Sequence, residues 1–103
     1  MADPNQTDGA VKERVDVKQK EPTLYTVILL NDDYTTMEFV VLVLQQVFNK
    51  PEPEAYRIMM KVHIEGRGVC GAYTYEIAET KVETVHEMAQ ENGFPLRATI
   101  EEG

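Results

Sequence analysis

The sequence predicts an α+β fold, a β-α-α-β-α-β sandwich with three helices packed on a small, three-stranded, mainly antiparallel sheet. Three observations carry that prediction. Apolar residues recur at helical spacing in three stretches, residues 37–48, 55–62 and 78–89. Three shorter stretches are either rich in β-branched residues or alternate with period two, as strands do. Proline, glycine and asparagine stand between the two kinds of stretch, where turns and caps need them.

Residues 1–23 hold few large apolar side chains, Val11, Val15 and Val17, among charges of both signs. Such a segment buries too little surface to offset its ordering entropy. It reads as a flexible extension, either an inert leader or a tether for a partner, and the folded domain spans 24–103 from just past Pro22. The first strand is Tyr-Thr-Val-Ile-Leu-Leu, residues 25–30. The first helix runs over 36–49. Met37, Val40, Val41, Leu44, Val47 and Phe48 make its stripe, and Phe39, Leu42 and Val43 make it apolar nearly all round. A helix of that kind lies in the core or is covered on a second side. Pro51 and Pro53 break it. Pro53 suits the first turn of a second helix, whose apolar face is Ala55, Ile58, Met59 and Val62 and whose cap is Gly66. A second strand follows over 69–75, with Gly71 at a bulge or close backbone approach. The third helix covers 76–91, burying Ala78, Val82, Val85, Met88 and Ala89. Its glutamates, and His86 with them, fall on the solvated side. Asn92-Gly93 ends it. Leu96, Ala98 and Ile100 then alternate with Arg97, Thr99 and Glu101 in a half-buried third strand.

The totals limit the function. At 103 residues there is one domain with one modest core. The formal net charge is −8 and the sequence pI about 4.7. That argues against nonspecific nucleic-acid binding, which needs Lys and Arg against phosphates, and suits a cationic ligand or basic partner. A single cysteine, Cys70, allows no internal disulfide. No stretch approaches the roughly 20 apolar residues of a membrane span, and the first residues lack a secretory leader's apolar run. The expected compartment is the cytoplasm, with no membrane partner.

The stretch that concentrates chemistry is residues 29–39, where the first strand turns through Asn31-Asp32-Asp33 into the first helix. Asn and Asp satisfy nearby backbone groups and favour turns. Thr35 with Glu38 reads as a capping box, and Tyr34 with Phe39 as a hydrophobic staple. An acidic turn held between two rigid elements, beside Met37, suits a cation with an apolar attachment. A solvated turn with no ligand accounts for the same residues. His63, near the end of the second helix, suits a helix-end charge. No zinc spacing, no phosphate loop and no serine is present, so no cofactor is expected. Cys70 with His63 leaves open a thiol enzyme, against which stand the apolar neighbours of Cys70.

Four motifs in order carry a resemblance: Leu-Asn-Asp-Asp-Tyr-Thr-Thr-Met-Glu-Phe-Val at 30–40, Val-His-Ile-Glu-Gly-Arg-Gly-Val-Cys-Gly at 62–71, Ala-Glu-Thr-Lys-Val at 78–82 and Phe-Pro-Leu at 94–96. Over about residues 24–102 the chain closely resembles the ClpS family, adaptors of bacterial N-degron proteolysis. The resemblance implies a non-catalytic adaptor. It binds proteins bearing N-terminal Leu, Phe, Tyr or Trp and hands them to the N-terminal domain of the AAA+ unfoldase ClpA, which feeds the peptidase ClpP. It implies that Asn31, Asp32, Asp33 and His63 surround the substrate α-amino group. By the same resemblance Leu29, Thr35, Met37, Met59, Val62 and Leu96 line the side-chain pocket, with Met37 its gatekeeper against β-branched residues. Glu76, Glu79 and Lys81 match positions facing the unfoldase, and residues 1–23 match a variable extension used in delivery. A recognition module of another degradation or ligase system is the alternative. One departure is Thr36, where many family members have proline.

Overall fold

The computed structural model describes residues 21–103, and the extension expected at 1–23 lies, up to residue 20, outside them. The order is β1 (Tyr25–Leu30), α1 (Met37–Gln46), α2 (Glu52–Glu65), β2 (Arg67–Tyr73), α3 (Tyr75–Glu91) and β3 (Arg97–Glu102). The α+β class and the element order are those expected. The sheet order is β2-β1-β3, and both ladders are antiparallel.

β1 is central because its side chains are apolar on both faces. Val27 and Leu29 enter the core beneath the helices, beside Val43, Leu44, Ile58, Cys70 and Val85. Ile28 points to the opposite face and is still only 1% exposed, set in register between Val69 and Thr99. An Arg67–Glu101 ion pair of 2.9 Å joins the two edge strands. The pairing of β1 with β2 slips between Val27 and Ile28, which face Gly71 and Val69 and leave Cys70 as the extra residue of a bulge.

Three local expectations are corrected. Thr35 does not cap α1: Thr36 does, its hydroxyl accepting the Phe39 N–H at 3.1 Å. The reason is competition, since Asp32 binds both the N–H and the hydroxyl of Thr35. The Thr35–Glu38 box and the Tyr34–Phe39 staple go with it, and Tyr34 is exposed. α1 also stops at Gln46 instead of Asn49, because Asn49 takes a left-handed φ of 56° and Lys50 turns its N–H back to Leu44 O. β2 begins two residues early and ends two residues early. Gly66, at φ 92°, caps α2 and passes the chain straight into pairing with Leu30, and Tyr75 is recruited into α3. Gly68 is required for packing, since a Cβ there would lie 2.7 Å from Val62 Cγ2.

His86 departs from the solvated side of α3 to which its spacing assigns it. It is half-buried, its Nε2 accepting the Ala98 N–H of β3 at 3.0 Å. Burial, with the Arg97 cation nearby, pushes its pKa below the ordinary value. Accepting an N–H likewise requires an unprotonated Nε2.

Candidate functional site

The turn after β1 is organised by one carboxylate. Asp32 Oδ1 accepts the N–H groups of Tyr34 at 2.8 Å and Thr35 at 2.7 Å, and Oδ2 accepts the Thr35 hydroxyl at 2.7 Å. This is an Asx-type turn, in which a side-chain oxygen stands in for a backbone carbonyl. Burial pushes the Asp32 carboxyl up, but the Thr35 and Tyr34 hydrogen bonds outweigh it and hold the pKa below the ordinary value. The start of the turn is tied elsewhere: Asn31 N–H donates to Gly66 O at 3.0 Å. That bond fastens the acidic turn to the cap of α2, three residues past His63.

The consequence is a concavity of about 220 Å³ lined by Asn31, Asp32, Asp33, Thr35, Met37, Val40, Met59, Val62 and His63. Its rim is polar and its walls apolar. It is smaller than the ~300–1,000 Å³ of drug-sized sites, which suits one side chain better than a large ligand. Asp33 and His63 are exposed, and among the described residues neither makes a side-chain hydrogen bond. Their polar atoms are open to a ligand, whereas three bonds within the turn occupy Asp32. Met37 is 42% exposed at the mouth and Met59 is 3% exposed deeper in.

Eight residues singled out from the sequence therefore share this concavity. Leu29 and Leu96 are not among its lining. Leu29 is fully buried in the core between the sheet and the helices. Leu96, also buried, lines a second, shallower hollow with His86, Phe94 and Arg97. Val40 lines the pocket although its spacing marks it only as a core position; its place three residues past Met37, on the same helix face, is the available signal.

The three positions matched to an unfoldase-facing surface differ among themselves. Glu76 and Glu79 are exposed on α3. Lys81 is engaged within the chain, its ammonium donating to Val47 O at 2.8 Å and standing 5.2 Å from the Tyr73 ring and 5.8 Å from that of Phe48.

A thiol enzyme finds no support in the geometry. Cys70 is fully buried, and burial pushes its thiol up to about 12. Almost no thiolate exists there at neutral pH, and the thiolate is the nucleophile. Among the described residues no group of three or more His, Cys, Asp or Glu is placed to hold a metal ion, and no helix is long and apolar enough to cross a membrane.

Comparison with known proteins agrees over nearly the whole chain. Residues 20–99 match the family described as ATP-dependent Clp protease adaptor protein ClpS. The ATP-dependent Clp protease adapter protein ClpS of Desulfatibacillum aliphaticivorans is 58% identical over 99 residues, covering 96% of this chain and 95% of that protein. Its namesake from Paraburkholderia xenovorans is 54% identical with the same coverage. Among solved structures, Agrobacterium tumefaciens ClpS2 bound to L-phenylalaninamide superposes with a TM-score of 0.77 at 44% identity, covering 81% of this chain and all of that one.

Proposed function

The chain belongs to the ClpS family, non-catalytic adaptors of the ATP-dependent Clp protease, and from that premise we propose that it selects proteins by a bulky apolar N-terminal residue with a free α-amino group. In this reading it works in the cytoplasm and passes Leu-, Phe-, Tyr- or Trp-initiated chains to the unfoldase ClpA, for destruction by ClpP.

The observation that carries the reading is the meeting of an acidic rim and an apolar pocket across one short distance in the fold. The α-ammonium of an ordinary peptide has a pKa of roughly 7.7–8.0, so it is mostly charged at neutral pH and has about three protons to donate. Asp33, open and anionic, supplies charge and acceptor lone pairs. Asn31 adds a carbonyl acceptor, and an imidazole nitrogen of His63 can add another. Asp32 holds the turn in shape so that these groups converge. Met37, Val40, Met59 and Val62 receive the side chain, whose burial contributes about 1.5–3 kcal/mol. Thioethers adapt to rings and branched chains alike. L-phenylalaninamide, the ligand of the Agrobacterium relative, has the same two parts, a free α-amine and an apolar ring.

Delivery is assigned to the exposed Glu76 and Glu79, with residues 1–23 as a tether. Lys81 serves that surface indirectly, by holding the end of α1 against α3.

The test is fluorescence anisotropy with a dye-labelled peptide beginning in Phe. Micromolar or tighter binding is expected, and acetylation of the peptide N-terminus should abolish it. Equal binding of free and acetylated peptides would leave the acidic turn a turn only.

A further inference from the structure

We propose that Met37 is a site of reversible oxidation, and that its sulfoxide closes the pocket to apolar side chains. The inference rests on the reading of that pocket given above. Of the methionines in the described chain, Met37 is 42% and Met60 39% exposed, whereas Met59 is 3% exposed. Met88 packs against the core. A hydroperoxide must reach the sulfur, so Met37 and Met60 are the open targets. Of these two, only Met37 lines the pocket. Cys70 does not compete, being fully buried with its thiol held protonated.

The chemistry is a two-electron oxygen transfer. A lone pair on Met37 Sδ attacks the distal oxygen of a hydroperoxide. The O–O bond breaks, an S–O bond forms, and the departing oxygen takes up a proton to leave as water or an alcohol. Sulfur is oxidised and the peroxide is reduced. A flexible apolar thioether becomes a polar, chiral group.

Position makes the change consequential. Met37 is the first residue of α1, so its modification disturbs no helix interior and little of the core. With the pocket filled, the ligand covers Met37, and the polar sulfoxide replaces an apolar surface beside the ligand side chain and the walls of Val40, Met59 and Val62, whose side chains have no hydrogen-bond donor. A buried polar group without a partner weakens binding by roughly tenfold or more. Methionine sulfoxide reductases restore the thioether. Recognition would thus fall under peroxide stress and return afterwards without new synthesis.

The experiment treats the full chain with graded hydrogen peroxide, quenches with catalase, and maps each methionine by peptide mass spectrometry. The same samples are titrated against the Phe-initiated peptide. Met37 and Met60 should oxidise well before Met59. Affinity should fall about tenfold in step with Met37 oxidation and recover with the two sulfoxide reductases. Saturating peptide present during oxidation should protect Met37 and not Met60. A Met60→Leu variant should lose binding along the same curve. Full oxidation of Met37 with unchanged affinity overturns the proposal, as does a Met60→Leu variant that resists peroxide, or a Met37 no faster than Met59. Failure of the untreated protein to bind the peptide overturns the pocket reading itself, a separate result seen before any peroxide is added.

Discussion

At the scale of single residues, the two adjacent aspartates have different work. Asp33 is open to a ligand, and Asp32 is consumed in holding the turn. Asp33→Ala should therefore weaken Phe-peptide binding by about 10- to 100-fold, the worth of a charge-assisted hydrogen bond, with little change in urea unfolding. Asp32→Ala should lower both affinity and stability, because it frees Thr35 and Tyr34. Because the folded chain depresses the Asp32 pKa, its stabilisation is complete above the ordinary carboxylate value of about 3.9 and is lost as the pH falls through the lower folded-state value. Thr36→Pro tests the departure from the family pattern. Thr36 has φ −73°, which proline accepts, but its hydroxyl cap would be lost at a cost of about 1 kcal/mol. Rigidity in the unfolded chain returns about 0.4–1 kcal/mol. Unfolding should thus barely shift, and a changed ranking of N-terminal residues in anisotropy would mean that proline acts through the turn's shape. At this scale the residue types of the site were legible and their partners were not. Thr35 and Thr36 are both competent caps, and only the reach of Asp32 decides between them.

At the scale of elements, the helices were legible because each has a long apolar stripe and a Pro or Gly boundary. The strand ends were less so. β2 carries two glycines with no side chain to show alternation, so its start at Arg67 was hidden. Contacts between elements were invisible to any local pattern, and two of them invite tests. Lys81 donates to the carbonyl of Val47, the C-cap of α1, where a cation meets the negative end of a helix. Lys81→Ala should cost about 1–2 kcal/mol in urea unfolding. Glu79→Lys, on the exposed side of α3, should leave unfolding unchanged and weaken binding to the ClpA N-terminal domain in a pull-down or titration. His86 joins α3 to β3 as a neutral acceptor. Its folded-state pKa is depressed, so the unfolded chain takes up the proton more readily. The stabilisation is whole above about 6.5 and is lost as the pH falls through the folded-state value. Thermal midpoints measured between about pH 7 and 5 should fall for the native chain and fall less for His86→Gln, which keeps an acceptor but cannot titrate.

At the scale of the molecule, the class and the element order could be read from periodicity, but not the strand order β2-β1-β3, which depends on partners far apart in the chain. The pocket is a product of that order: β1 beside β2 brings Asn31 to Gly66 and so the acidic turn to His63. The net charge of −8 has its own consequence. Association of a cationic peptide should slow as salt rises, since the protein's field steers it only within about a Debye length. Stopped-flow rates between about 20 and 500 mM salt would read the effect, and a flat profile would assign capture to the pocket alone. One more consequence lies in the pairing of β1 with β3. Thr26 and Gly103 are hydrogen-bonded although 77 residues apart, so the central strand cannot complete its second ladder until residues 97–103 have left the ribosome. At about 5–20 residues per second, β1 waits several seconds with one edge bare. The adaptor of a degradation machine is itself, during its own synthesis, an unfinished sheet that a protease or chaperone could seize.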